Sequence, residues 1–299
     1  MPYALILHCT AENGFVSPED LQGQKALALF LQELIQKQDP SLATRLHAPK
    51  NSKGFTTAIL QPLGSDGLQR REGRKPLRRP ETGRSDQGEV RIRITLLDDA
   101  LYPLISQYFL QHIGGIPSLH LGRSSLDVSK VTVTPESGEP WAGFASFEAL
   151  LAEVSAGEVS WRMCFASPTA FKSGDADLPL PIPRLCFQSW LNSWDEHAPC
   201  PFFPDKTERK RFLEEVVEGH VSVDYSQLRM AEQMFYFDGH RTREGGFTGV
   251  CRFAVKPAKT TPHHRNILAA LARYSFYAGT GRKTTMGMGV TKLIGPDRA

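Results

Sequence analysis

Nowhere in the 299 residues do apolar side chains run for the roughly 18 positions a bilayer-spanning helix needs, so no helical membrane anchor is expected. Cysteine is scarce. Cys9, Cys164, Cys186, Cys200 and Cys251 are scattered, odd in number and never spaced C-x-x-C. That pattern excludes a disulfide framework or a structural zinc ribbon and fits a reduced, cytoplasmic setting. The opening Met1–His8 run lacks a basic leader and a small-residue cleavage site, so it reads as a strand and not as an export signal. Acids are missing altogether from Gly245 to Pro296.

What is present fits a folded, two-domain chain. Apolar residues make up 40% and charged residues 22%, enough for a core, and the length suits two domains of about 150 residues. The net charge of +3 hides a segregation. Residues 239–299 hold eleven Lys plus Arg against two acids, and residues 64–88 hold seven against four. Excesses of nine and three are thus offset by a net −9 over the remaining 213 residues, a distribution that suits a polyanionic partner.

Periodicity gives two similar halves. In the first, Tyr3 to Cys9 reads as a strand. Ser17-Pro18-Glu19-Asp20 reads as the start of a helix that runs to Gln38, with Ser17 as cap and Pro18 at the first position, and Asp39-Pro40 stops it. Strands follow at Phe55–Leu60 and Val90–Leu96, then a helix over Asp99–Ile113 and a strand around Val131 and Val133. Arg91 and Arg93 alternate with apolar residues and are expected on a solvated outer sheet face. In the second half, Trp161, Met163 and Phe165 mark a strand, and a Pro-rich stretch leads into a short apolar segment, Cys186–Trp194. A helix near Glu208–Glu218, strands at Met230–Phe237 and Phe247–Val255, a helix over His263–Tyr277 and a strand over Met288–Ile294 complete the chain. The expected fold is α+β: two ferredoxin-like (RRM-like, βαββαβ) units in tandem, each with an antiparallel sheet. They occupy residues 1–138 and 159–299, with a linker over 139–158 that carries a short helix around Phe147–Val154. Residues 64–88 read as a long basic loop.

The most specific motif is Gly279-Thr-Gly281-Arg282-Lys283-Thr-Thr-Met-Gly287-Met-Gly289. Glycines let successive backbone amides turn toward one anion, and two cations add charge. The motif follows a helix instead of preceding one, so it is not a mononucleotide loop. A tight helix-to-strand turn that merely needs glycine is the plain alternative.

This loop resembles the hallmark of the CRISPR-associated endoribonucleases that process precursor CRISPR RNA, within the repeat-associated RNA-binding superfamily. Phe165-Ala-Ser167-Pro168-Thr169-Ala-Phe171, Leu185-Cys-Phe187 with Trp190, and Leu46-His47 with Lys53-Gly54-Phe55-Thr56 are similar to other segments of that family. The resemblance implies metal-independent RNA cleavage with no cofactor: the 2′-hydroxyl attacks the neighbouring phosphate, leaving a 2′,3′-cyclic phosphate and a 5′-hydroxyl. Among nine histidines it points to His47, in a loop after the first helix, as general acid or base, with Lys53 steadying the phosphorane. The implied partners are CRISPR repeat RNA, precursor and mature guide, and subunits of a CRISPR effector complex. Arg241, Arg243, Gly279, Gly281, Arg282, Lys283, Gly287 and Gly289 form the expected RNA surface. Some similar members add a tyrosine from the first helix, and this helix has none. A non-catalytic RNA-binding subunit of such a complex is the main alternative. A generic RRM module fits less well, because Glu244 precedes Gly245-Gly246-Phe247, where a basic residue belongs.

Overall fold

The computed structural model describes residues 1–48, 53–60, 88–155, 157–174, 176–237 and 240–298. The first unit runs β1 (Tyr3–Ala11), α1 (Gly23–Leu29), α2 (Pro40–His47), β2 (Phe55–Leu60), β3 (Glu89–Leu96), α3 (Leu101–Gln111), β4 (Leu119–Leu121) and β5 (Ser124–Thr132). Helix α1 continues with π-helical geometry over Phe30–Ile35. The antiparallel sheet has the order β2-β3-β1-β5-β4. Its helix-side core joins Leu5 and Leu7 of β1 to Ile92 and Ile94 of β3 and to Phe30, Leu34 and Ile105.

A short strand, β6 (Gly143–Phe144), pairs with Tyr3 and Ala4 at the start of β1, and α4 (Phe147–Ala152) follows. Within the stretch expected as a linker, the short helix falls where the sequence places it and a strand precedes it. Ala145, Phe147 and Leu150 pack into the core of the second unit.

That unit comprises β7 (Glu158–Thr169), the hairpin β8 (Phe171–Ser173) and β9 (Ala176–Leu178), α5 (Pro183–His197), α6 (Lys206–Arg211), β10 (Val221–Phe237), β11 (His240–Val255), α7 (Pro262–Ala278) and β12 (Thr291–Arg298). The sheet order is β10-β11-β7-β12, again antiparallel. In both halves the first strand lies between the third and the last, with the second outermost, which is the ferredoxin-like order. Trp161, Phe187, Trp190, Trp194 and Phe253 fill the space between this sheet and its helices. The hairpin of β10 and β11 is long: β11 pairs with β7 only from Phe247 onward, so the arm toward His240 overhangs the sheet.

Several local expectations are corrected. Pro18 does not open the first helix. Ser17 Oγ accepts the Asp20 amide at 3.1 Å and closes a turn, while the Asp20 carboxylate accepts from Ser124 Oγ at 2.8 Å, across the unit. Asp39-Pro40 starts a helix as well as ending one, because the Asp39 side chain caps the Leu42 amide at 2.9 Å and Pro40 takes the first position. Residues 183–197 form a full helix rather than a short apolar segment. Pro183 sits in its first turn, and Cys186, Phe187, Trp190, Leu191 and Trp194 make a buried stripe of helical spacing. The basic stretch over 64–88 lies outside the described residues except for Gly88.

The largest correction concerns Arg91 and Arg93, which are not on a solvated face. Arg93 is 2% exposed. Its guanidinium donates to the carbonyls of Trp141 at 3.1 Å and Phe276 at 2.5 Å, and lies 4.6 Å from the Phe276 ring. Burial pushes its pKa down to about 9, so it remains a cation at neutral pH. Arg91 pairs with Glu139 at 3.1 Å. The second unit covers this face: Ile6, Ala58, Leu60, Trp141 and Val290 form a separate apolar cluster that joins the two units.

Candidate active site and nucleic-acid interface

His47 is the last residue of α2 and is exposed. The sequence places it in a loop; the structure places it on a helix end, because the Asp39 cap starts a helix long enough to reach it. Lys53 lies just before β2. Its ammonium donates to the carbonyl of Leu46 and, at 2.9 Å, to that of Ala48, so it holds the backbone on both sides of His47. Partial burial lowers the Lys53 pKa. The one aromatic of the first helix, Phe30, is fully buried and packs 4.5 Å from the ring of Phe55.

The glycine loop closes the junction of the two units. It leaves α7 at Gly279, makes a single 3-10 turn over Thr284–Met286, and enters β12. Thr57 Oγ1 of β2 donates to Thr285 O at 2.7 Å, fixing the turn against the first unit. Lys53 precedes Thr57 by four residues, about 13 Å along extended chain. Gly23, at the start of α1, meets Met286 and Gly287 backbone to backbone.

The expected amide cradle is not what the loop forms. The Gly281 amide donates to Ser189 Oγ at 3.0 Å, and the Arg282 amide to Ala170 O at 3.0 Å. Thr280 donates to Gly289 O at 2.9 Å, and Gly289 to Pro168 O at 3.0 Å. These donors bind the loop to α5 and the end of β7, so the glycines serve close approach. At Gly289 (φ 71°) a Cβ would fall 2.0 Å from Thr280 O, and at Gly281 (φ 78°) one would fall 2.3 Å from Ala170 O. Trp190 Nε1 completes the anchor by donating to Thr280 Oγ1 at 2.8 Å.

The two loop cations are held by carboxylates. Arg282 pairs with Asp177 of β9 and, at 3.1 Å, with Glu244 of β11. Lys283 pairs with the other oxygen of Glu244 at 2.5 Å and lies 4.5 Å from the ring of Phe235. Lys283 is the only non-glycine residue with positive φ (55°) among the described residues. Burial pushes the Asp177 carboxyl up, but Arg282 and Lys172 together hold it below the usual range.

Strand alternation separates Glu244 from its neighbours. Glu244 and Phe235 face the loop from β11 and β10, whereas Arg241 and Arg243 project from the other face of the same hairpin. Both arginines are exposed; Arg243 lies 3.6 Å from Glu232. Arg241 lines a groove of about 1520 Å³ between the two units, along with Arg162, Arg229, Lys292, Trp141 and Phe15. Arg162, Arg229 and Lys292 were missed in the sequence. Their signal was a cation alternating with core residues on a strand, a pattern that equally describes any solvated sheet face. The structure thus brings Arg282, Lys283 and the four glycines together and puts His47 and Lys53 together. Arg241 and Arg243 stand apart from both, and neither His47 nor Lys53 lines the groove. Among the described residues no three His, Cys, Asp or Glu side chains converge as metal ligands, and no helix is long and apolar enough to cross a membrane.

Comparison with known proteins gives concordant matches. Residues 1–152 match the family model for the CRISPR Cas6 N-terminal domain, and residues 163–291 match that for the CRISPR-associated endoribonuclease Cas6. A CRISPR-associated endoribonuclease Cas6 of Streptococcus thermophilus is 31% identical over 133 residues, covering 44% of this chain. The matched part spans about half (50%) of that relative's length. Among solved structures, a Cas6 product complex superposes with a TM-score of 0.74 at 29% identity, covering 98% of this chain and 99% of the other. Thermus thermophilus Cas6 superposes with a TM-score of 0.69 at 26% identity, covering 98% of each chain.

Proposed function

Since the chain belongs to the Cas6 family of CRISPR-associated endoribonucleases, we propose that it cuts CRISPR repeat RNA without a metal ion to release mature guide RNAs. One observation carries the assignment of the reacting groups: the Lys53 ammonium is fastened to the two carbonyls that flank His47. An imidazole that can accept or donate a proton and a fixed positive charge are thereby kept within one residue of each other. This is the pairing that transfer at phosphorus needs.

In the proposed reaction the 2′-hydroxyl loses its proton and attacks the adjacent phosphorus, and the bond to the 5′-oxygen breaks. The products are a 2′,3′-cyclic phosphate and a 5′-hydroxyl, and the proton taken from the 2′-oxygen is balanced by one given to the leaving oxygen. His47 performs one of these proton transfers. Of the three donors on the Lys53 ammonium two go to protein carbonyls, and the third is directed at a non-bridging oxygen of the phosphorane. The exposed Arg241 and Arg243 and the glycine loop with Arg282 and Lys283 hold the RNA backbone. With no first-helix tyrosine the site works with fewer groups, and turnover is correspondingly slow.

The test is to incubate the protein with repeat RNA in EDTA, map the cut and identify its ends. His47→Ala should lose cleavage by at least 100-fold while binding the RNA within about threefold of the parent, since general acid–base catalysis contributes about 10²–10⁴. Unimpaired cleavage by His47→Ala would remove His47 from the mechanism. Tight binding with no cleavage by the unmodified protein would instead favour a non-catalytic subunit of an effector complex.

A further inference from the structure

The loop that should grip RNA holds its cations in pairs already made. Arg282 and Lys283 supply two positive charges, and Asp177 and Glu244 supply two negative ones, with both Glu244 oxygens engaged. The pairs are largely covered: side-chain exposure is 23% for Arg282, 19% for Lys283 and 10% for Glu244. The loop amides named above are likewise bonded within the protein. The charge of both cations is thus already neutralised inside the protein, so a phosphate gains their full attraction only by taking the place of a group already bound. The group that matches it is Glu244, an anion with two oxygens set between a guanidinium and an ammonium.

We propose that Glu244, with Asp177 beside it, acts as an internal stand-in for an RNA phosphate and must leave Arg282 and Lys283 before the substrate backbone can engage them. Glu244 is thus a gating residue that faces the loop from β11. The inference rests on the RNA-processing reading but concerns a step before chemistry. The built-in carboxylate keeps a strongly basic segment from holding any passing polyanion by charge alone. It also holds Lys283 in its left-handed conformation, since one carboxylate oxygen and the Phe235 ring fix the ammonium from two sides. Withdrawal of Glu244 frees that residue to move as RNA arrives.

The experiment measures binding of a poly-U 12-mer, which offers phosphates without a repeat sequence, by the intact protein and by Glu244→Gln. Each phosphate newly neutralised on a single strand releases about 0.7 counterion. In about 0.1 M salt that gives about fivefold tighter binding for one freed cation and about 25-fold for both. The slope of log K against log salt should steepen by about 0.7 to 1.4. Glu244→Gln combined with Arg282→Gln and Lys283→Gln should lose the gain. Weaker binding by Glu244→Gln would show that the carboxylate serves to aim the cations, and unchanged binding would show an inert pair; either overturns the proposal. Asp177→Asn, whose side chain is more exposed, gives the same readout if Glu244→Gln fails to fold, and should tighten binding by up to fivefold; no change or weaker binding there counts equally against the proposal. Poly-U binding needs neither cleavage nor a cognate repeat, so failure of the gate and failure of the RNA-processing reading register in separate assays.

Discussion

Replacing Gly23 with Ala should harm this protein, although the same change in most helices helps. Gly23 opens α1, and alanine is favoured over glycine in a helix by about 1 kcal/mol. Here the added Cβ would stand 1.9 Å from the carbonyl oxygen of Met286, 2.5 Å from its carbon and 2.9 Å from Gly287 Cα. Ordinary van der Waals contact begins near 3.4 Å, so helix and loop must separate by roughly 1.5 Å. The obstacle is backbone, which cannot rotate out of the way. Overpacking of this kind costs about 1–3 kcal/mol, so the net loss after the helix gain is up to about 2 kcal/mol. For a chain of this size the melting temperature should fall by up to about 3 °C. The separation also strains the Thr57–Thr285 hydrogen bond and shifts the loop that carries Arg282 and Lys283 relative to Lys53. A misplacement near 1 Å can cost about 100-fold in rate, so single-turnover cleavage of repeat RNA should drop by 10- to 100-fold while circular dichroism is unchanged. Thermal melts and single-turnover cleavage on the two proteins decide the matter. A Gly23→Ala protein that melts higher than its parent and cuts at the same rate would refute the backbone-contact argument.

Two further outcomes follow from buried cations. Burial favours the neutral amine of Lys53, so its proton leaves below the ordinary lysine value of about 10.4. The charged form supports the reaction, so the cleavage rate should fall as pH rises through that lowered value. Any residual rate in Lys53→Arg should show no such alkaline fall; an identical pH profile in the two proteins would dissociate Lys53 from the chemistry. Arg93→Ala leaves the carbonyls of Trp141 and Phe276 without their donor and should cost about 2–6 kcal/mol in urea unfolding, at about 1–3 kcal/mol for each orphaned acceptor. A loss below 1 kcal/mol would show that the Arg93 hydrogen bonds add little to the joining of the two units.

Local pattern is enough to place most strands and the last helix, because Val90–Leu96 alternates, Phe55–Leu60 is rich in aromatic and β-branched residues, and α7 follows an uninterrupted helical stripe. Where the reading failed, the same local rule had two admissible sites. Ser17-Pro18 and Asp39-Pro40 both carry a cap followed by proline, and only packing decides that Asp20 is drawn away to Ser124 while Asp39 caps a new helix. Arg93 illustrates a different limit. On a strand, a cation between apolar neighbours looks solvated, and its burial depends on a partner face 48 and 183 residues away. The candidate site was legible as residue types, since His47, Lys53 and the glycine motif stand out in the sequence. Its electrostatics were not, because Glu244 and Asp177 are distant in sequence from the cations they hold.

The burial of Arg93 decides which surfaces of the molecule are free to touch nucleotides. Sheet proteins that read single strands use one open face as a platform on which bases lie flat against side-chain rings. In the first unit the part of that face around Arg93 is covered by Trp141 and Phe276 of the later chain, so no base can lie over that residue. The outer face of the second sheet carries Arg162 on β7 and Arg252 on β11, directly opposite each other in register. Guanidinium groups so placed give that part of the sheet positive charge in place of a ring surface, which sets it apart from a base-stacking platform.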